Sequence, residues 1–239
     1  MPCILLTGAT GYIASHTWLA LQEAGFDVVG IDSLVNSSVK VLDRLETIGR
    51  RAPHFVQGDV RDAAALDRCF ELARTRFGGI QAVVHFAALK AVGESVERPL
   101  DYFENNLGGL LSVCQAMKRH GVNNLVFSSS ATVYGDPQKL PLTEDHPLSA
   151  TNPYGQTKLV IENMLRELHR SKHLHAARHA GREALHVADF KGGRRKARLH
   201  VGRAPAGRLE PHAQLVGPGA RAPVTVGKQS GEVPAHACV

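Results

Sequence analysis

The sequence predicts an α/β fold built on a doubly wound parallel sheet. Three observations predict it. Short β-branched, apolar runs alternate with helical stretches through residues 1–170. The alternation is spaced for right-handed strand–helix–strand crossovers, with helices on both faces of the sheet. A stretch of about 170 residues is also long enough to bury a sizeable core.

The elements follow in order. A first strand, Cys3–Thr7, runs straight into the glycine-bearing turn Thr7-Gly8-Ala9-Thr10-Gly11, and a helix over Tyr12–Ala24 follows. A second strand, Asp27–Ile31, carries Val28-Val29-Gly30-Ile31 and ends against Asp32; Val39–Ile48 is the next helix. A third strand, His54–Gln57, precedes Gly58-Asp59 and a helix over Asp62–Phe77. The fourth strand is Ala82–Phe86, with a helix over Asp101–His120. The fifth, Asn124–Ser128, leads through a serine-rich stretch to a helix over Tyr154–Leu168.

Composition divides the chain. Of its 239 residues, 44% are hydrophobic and 21% charged, an ordinary globular balance. No stretch approaches the ~20 apolar residues of a membrane span, and Met1–Gly8 lacks the basic region and long apolar run of a signal peptide. The four cysteines (Cys3, Cys69, Cys114, Cys238) are scattered without a C-x-x-C pair, which argues against a disulfide scaffold and a zinc site. The expectation is a cytoplasmic protein with reduced thiols, no membrane contact and no metal. The net charge of +6 is unevenly placed: residues 1–170 hold 16 Lys+Arg against 18 Asp+Glu, residues 171–239 hold 12 against 4. The latter segment has 13 Ala, 9 Gly, 5 Pro and 7 His, with Phe190 its one Phe, Tyr or Trp. So little large apolar surface cannot offset the entropy of ordering. Residues 1–170 therefore read as one domain, and 171–239 as a largely disordered basic tail that is not a native domain. Its cluster Lys191-Gly192-Gly193-Arg194-Arg195-Lys196-Ala197-Arg198 could neutralise phosphates but lacks interleaved aromatics, so a solvated run is the better reading than a nucleic-acid site.

The first turn carries chemistry. Gly8 and Gly11 let the backbone approach a pyrophosphate, the small Ala14 allows close helix–strand packing, and the next helix points its N–H groups at the anion. The pattern is G-x-x-G-x-x-A rather than G-x-G-x-x-G, and by itself it is also compatible with a simple turn. Asp32, 18 residues beyond Ala14, strengthens the ligand reading. A carboxylate at that strand end accepts ribose hydroxyls and repels a 2′-phosphate, which favours NAD over NADP and makes the sheet Rossmann-type. Asp59 belongs at the same edge, either touching an adenine or starting a helix.

Tyr154-Gly155-Gln156-Thr157-Lys158 places a phenol and an ammonium on one helix face. The cation is expected to lower the phenol pKa and make Tyr154 a general base. Ser129-Ser130-Ala131-Thr132-Val133-Tyr134-Gly135 sets hydroxyls at the carboxyl end of the fifth strand, as a substrate-orienting serine or as a loop before a helix.

Together, Thr7-Gly8-x-x-Gly11-x-x-Ala14, the serine stretch and Tyr154-x-x-x-Lys158 resemble the extended short-chain dehydrogenase/reductase superfamily. Within it, Asp32–Ser37, His85–Val96, Asp101–Asn106 and Phe127–Asp136 resemble the UDP-glucose 4-epimerase family, and the likeness covers residues 2 to about 170. The resemblance implies that Tyr12 and Ile13 lie on the NAD phosphates, and that Asp32, Ser33, Leu34, Val35, Asn36 and Ser37 surround the adenosine ribose. It places Asp59 and Val60 at the adenine. Phe86, Ala87, Ala88, Leu89 and Lys90 would pass beneath the cofactor, with Lys90 and Asn105 contacting it. Ser130 and Tyr154 would flank a UDP-sugar, with Lys158 supporting Tyr154. For Lys90 a solvated side chain, and for Asn105 a backbone hydrogen bond, stand as alternatives; His85 reads as a packed strand residue. The implied reaction is interconversion of UDP-glucose and UDP-galactose by transient C4 oxidation with bound NAD. Ala131 and Val133 replace the acidic pair of sugar-nucleotide dehydratases. Reduction or epimerisation of another nucleotide sugar, or an NAD-binding module without catalysis, are the competing readings. The family also implies a homodimer through the helices Asp101–His120 and Tyr154–Leu168.

After Arg170 the resemblance stops. An apolar sixth strand ending near Arg-Tyr-Phe-Asn-Pro, and a smaller sugar-nucleotide domain, have no counterpart in Ser171-Lys172-His173-Leu174-His175 and beyond. The expectation is a truncated sheet with a bare edge at its fifth strand, marginal stability and impaired activity. The abrupt shift to Ala, Arg, Gly, Pro and His suggests an out-of-frame coding segment, which the encoding DNA read in its other frames would reveal.

Overall fold

The computed structural model describes residues 1–171 and 173–179. Six parallel strands form one sheet: β1 (Cys3–Thr7), β2 (Asp27–Asp32), β3 (His54–Gln57), β4 (Ile80–His85), β5 (Asn124–Ser128) and β6 (His175–His179), in the order β3-β2-β1-β4-β5-β6. The helices are α1 (Tyr12–Glu23), α2 (Lys40–Gly49), α3 (Ala63–Phe77), α4 (Val92–Glu97), α5 (Pro99–Arg119) and α6 (Pro153–Arg170). The chain winds outward from β1 to β3, then crosses to β4 on the other side of β1. That reversal leaves a crevice above the carboxyl ends of β1 and β4, where open α/β sheets hold their ligands.

Side chains alternate across the strands and fill two apolar layers. Leu5, Val29, Ile31, Val83, Leu125 and Phe127 face one way and pack on Leu66 and Phe70 of α3, Leu110 and Val113 of α5, and Ile161 and Leu165 of α6. Ile4, Leu6, Val28 and Val84 face the other way, against Trp18 and Leu21 of α1 and Leu45 of α2. Gly30 is required by this second layer, because a Cβ there would sit 2.2 Å from the Trp18 ring. All five residues of β1 are buried, as a strand covered on both faces demands.

The observed elements depart from the sequence reading in several places, β4 among them, which runs Ile80–His85 rather than Ala82–Phe86. Asp62 is not in α3 but caps it, its side chain accepting from Ala64 N, while α5 begins earlier than expected, at Pro99. A short helix, α4, and a 3-10 turn at Ala131–Tyr134 fill stretches that carried no expected element. The main correction is β6. The sheet does not end at β5: His175 N donates to Asn123 O at 2.6 Å, and five residue pairs match β6 with β5 from Asn124↔His175 to Ser128↔His179. His-Ala-Ala-Arg-His lacks the β-branched residues that mark a strand in sequence, and the open edge of β5 supplies the hydrogen-bonding template instead. Leu174, just before it, is buried in the first layer. The tail reading, including its basic cluster Lys191–Arg198, lies outside the described residues from 180 onward.

Candidate active site

At the end of β1 the backbone turns at Gly8, which has a φ of +66°. A Cβ there would stand 2.8 Å from Ala87 N, so the first turn and the segment after β4 touch backbone to backbone. Gly11 N donates to Gly8 O, and Gly11 begins α1 without a side-chain cap. The first N–H groups of α1 are thus left for an outside acceptor. Tyr12 and Ile13 are exposed at this opening, and Ala14 is buried under it.

Asp32 is buried and already holds three donors. Its Oδ2 accepts from Thr10 N at 3.1 Å, and its Oδ1 accepts from Leu34 N at 2.8 Å and from Ser37 Oγ at 3.0 Å. A carboxylate offers about four lone-pair sites, so these contacts leave room for one more donor, or for two if the Ser37 hydroxyl turns to Thr10 Oγ1, 2.7 Å away. Leu34 sits at φ +64°, an uncommon conformation for its type, while Ser33, Val35 and Asn36 are exposed on the same loop.

Asp59 lies beside this edge, but it neither starts a helix nor stands free. The Arg61 guanidinium grips both its oxygens, at 2.7 Å from Nη2 and 3.1 Å from Nε, and holds its carboxyl below the ordinary range. Arg61 also reaches Glu104 of α5. Val60 is buried in the first layer. Phe86 N donates to Thr7 O and Ala87 N to Thr7 Oγ1, so the segment through Ala88 and Leu89 follows the crevice half-buried, and Lys90 is exposed. Asn105 donates to Asn106 Oδ1 rather than to backbone.

On the other side of the crevice, α6 begins at Pro153, with Asn152 Oδ1 accepting from Gly155 N at 2.8 Å. This start sets Tyr154 half-buried and Lys158 one turn on, buried. Lys158 Nζ donates to Ser128 O at 2.8 Å, 4.8 Å from the Phe127 ring centroid and 5.8 Å from that of Tyr154. Burial brings the Lys158 pKa down from 10.5 to about 8. The Tyr154 pKa departs from the sequence expectation: burial raises it from 10, and the Ser130 hydroxyl pulls the other way without prevailing. Desolvation of the phenolate is the larger effect, and the Lys158 Nζ is committed to the Ser128 carbonyl. Ser130 Oγ itself accepts from Thr132 N and Thr132 Oγ1.

One residue read as packing does more here, and two others at this site were not singled out in the sequence. His85, correctly read as packed, has a polar partner as well: its Nδ1 lies 2.7 Å from Thr7 Oγ1, and burial pushes its pKa down from 6.5 to about 3, so it is neutral. Asn106 is buried and ties three elements, accepting from Leu89 N and donating to Leu89 O and to Thr157 Oγ1 of α6. Glu162 is buried on α6, with Ser129 Oγ donating to its Oε1 and Arg166 Nη2 to its Oε2 at 3.0 Å. The available signal was spacing: Tyr154, Lys158, Glu162 and Arg166 recur every fourth residue.

Comparison with known proteins follows this geometry. The family model described as the NAD dependent epimerase/dehydratase family matches residues 4–179. UDP-glucose 4-epimerase of Bacillus subtilis (strain 168) is 51% identical over 166 residues, 70% of this chain and 48% of that protein. UDP-glucose 4-epimerase 1 of Oryza sativa subsp. japonica is 53% identical over 171 residues, 70% of this chain and 47% of that protein. The chain thus spans about half the length of the curated relatives it matches. Among solved structures, UDP-glucose-4-epimerase from Stenotrophomonas maltophila with bound NAD and formylated UDP-arabinopyranose superimposes with a TM-score of 0.69 at 45% identity, over 74% of this chain and 52% of that one. The enzyme from Bifidobacterium longum in complex with NAD+ and UDP gives 0.69 at 43% identity, over the same shares of 74% and 52%.

Proposed function

The chain belongs to the NAD dependent epimerase/dehydratase family, and on that premise we propose that it is the NAD-holding, base-bearing part of a UDP-glucose 4-epimerase. What supports this reading is that Tyr154 and Lys158 meet Ser130 and Ser128 at the carboxyl end of β5, the same edge of the sheet at which β1 and β2 end in the Gly8–Gly11 turn and Asp32.

The residues present fit NAD. A Cβ would fill the cradle at Gly8, the uncapped start of α1 suits a pyrophosphate, and Asp32 retains acceptor capacity for a ribose hydroxyl. Gly8, Gly11, Tyr12 and Ile13 would hold the phosphates, Asp32 to Ser37 the adenosine ribose, and Asp59 and Val60 the adenine side. Phe86 to Lys90 and Asn105 would line the rest of the groove. When bound, NAD supplies an acceptor and later a donor for the C4 hydride of the sugar, so no net oxidation accumulates.

The chain's own residues do the acid–base work. Ser130 orients the 4-hydroxyl of the UDP-sugar, and Tyr154 takes its proton and later returns it. Lys158, held by the Ser128 carbonyl, keeps positive charge beside the phenol face and favours the phenolate once formed. Ala131 and Val133 offer no acid beside Ser130, which supports epimerisation over dehydration. We read residues 1–170 as the NAD-binding domain and 171–239 as an appendage whose first strand, β6, joins the edge of the sheet. A homodimer through α5 and α6 is consistent with exposed Leu111 and Val160, 47% and 42% accessible. No helix among the described residues is long and apolar enough to cross a membrane; a cytoplasmic location is part of the proposal.

The test is incubation of the purified chain with NAD and UDP-galactose, followed by chromatography of UDP-glucose. Conversion that Tyr154→Phe abolishes supports the reading. NAD binding without conversion of any UDP-hexose would favour a cofactor-binding module, a second reading motivated by the half-length match. Failure to bind NAD sinks both.

A further inference from the structure

On one face of α6, Tyr154, Lys158 and Glu162 stand one turn apart, and each meets a different residue at the end of β5. Tyr154 interacts with the Ser130 side chain, Lys158 Nζ with the Ser128 carbonyl, and Glu162 Oε1 with the Ser129 hydroxyl. Three successive residues, the last of β5 and the two after it, are thus pinned by three successive turns. The first two contacts belong to the chemistry proposed above. The third reaches no crevice residue directly, yet it is the most buried: the Glu162 side chain is 1% accessible, and Arg166, 43% accessible, closes its other oxygen. A buried carboxylate is costly unless fully paired. Packing alone would be met as well by an apolar residue here.

We propose that Glu162 is a positioning residue: by accepting from Ser129 it fixes the height and rotation of the Ser128–Ser130 segment against α6, and so sets both the Lys158–Ser128 contact and the approach of Ser130 to Tyr154. The role rests on the reading of Tyr154 as the base. If the Ser129–Glu162 contact is lost, the strand end has one anchor fewer between the two functional ones. Ser130 then drifts from the phenol, which loses a donor that favours its ionised form.

The test reads the phenol itself, without turnover. Difluorotyrosine incorporated at position 154 titrates at lower pH than tyrosine, within the folded range, and its fluorine resonance is followed against pH in the full chain. Glu162→Ala is expected to raise the midpoint by about half a pH unit or more. Ser129→Ala should produce the same shift, and the double variant no further one, because both delete one contact. Glu162→Gln keeps an oxygen for the Ser129 hydroxyl and should leave the midpoint within about 0.2 of the parent. If Glu162→Ala does not fold, Ser129→Ala, which removes a single hydroxyl, decides. Variants that melt at lower temperature with an unmoved Tyr154 midpoint overturn the proposal, as do shifts at 129 and 162 that add. A chain that converts no UDP-sugar but shows the coupled shift upholds the positioning role while removing the reaction. One that converts UDP-galactose with the midpoint unmoved does the reverse.

Discussion

The two walls of the crevice are built differently. On the side proposed to hold the adenosine, Asp32 is held by Leu34 N two residues away, Ser37 Oγ five away and Thr10 N 22 away, and the partners are mainly backbone on a turn and a loop. On the side proposed to face the sugar, Lys158 reaches 30 residues back to Ser128, Glu162 33 back to Ser129, and Asn106 51 forward to Thr157, all from buried side chains. The first wall is a surface shaped by local geometry and left open for a ligand. The second is a cross-linked block in which polar groups have been taken out of water and must satisfy one another.

The sharpest way to separate the walls is to remove the phenol hydroxyl. Tyr154→Phe leaves the ring in place and deletes the proton acceptor. Whatever turnover the chain has should fall by about 10²–10⁴-fold, the usual worth of a positioned acid–base group. NAD affinity, measured by calorimetry, should stay within about threefold, since the adenosine wall is untouched. An equal loss in both would mean that the two walls are not independent.

Acid attacks the seam between them. His85 ends β4 beside Thr7 of β1, buried and neutral, with its pKa brought down from 6.5 to about 3. The folded pKa lies below the unfolded one, so between these values the unfolded chain binds the extra proton. The stabilising contribution is therefore full above about pH 6.5 and is lost as pH falls toward 3. Over that window the loss should reach about 4 kcal/mol. Urea unfolding across pH 4–7 checks it: His85→Asn should flatten the slope relative to the parent. Equal slopes would show that the carboxylates, not His85, govern acid sensitivity.

Gly8→Val tests the adenosine wall. The substitution puts a branched side chain at φ +66° and within 2.8 Å of Ala87 N. NAD affinity should drop by about 100-fold or more, with a fall in thermal midpoint from backbone strain. The Tyr154 titration should move much less, because its contacts come from β5 and α6.

This contrast also explains what the sequence disclosed. Gly8, Gly11 and Asp32 stand out because their roles depend on short spacings in a strand–turn–helix, and strands β1, β3 and β5 carry apolar runs whose ends coincide with the observed ones. Tyr154 and Lys158 were visible as an i, i+4 pair. That burial would raise the phenol pKa was not visible, since desolvation depends on what the tertiary fold stacks over the group. Glu162, Asn106 and Thr157 were hidden for the same reason: a buried Glu and a solvated one look alike in one dimension. β6 was hidden because its pairing is made by backbone alone, which His175 and Ala176 do not advertise.

The smallest effect expected lies at Leu34. Its φ of +64° is imposed by the turn that lets its N–H reach Asp32 Oδ1, and a leucine Cβ is disfavoured there by roughly 1 kcal/mol. Asn tolerates this conformation better than Leu. Leu34 is half-buried, so the exchange also gives up some apolar contact. Leu34→Asn should consequently raise the unfolding free energy by at most about 0.5 kcal/mol, and leave NAD affinity within about twofold. Chemical denaturation of the two chains side by side resolves the sign. Destabilisation by more than about 1 kcal/mol would show that Leu34 packing, rather than its backbone, dominates, and that the adenosine wall is less purely a product of local geometry than its hydrogen bonds suggest.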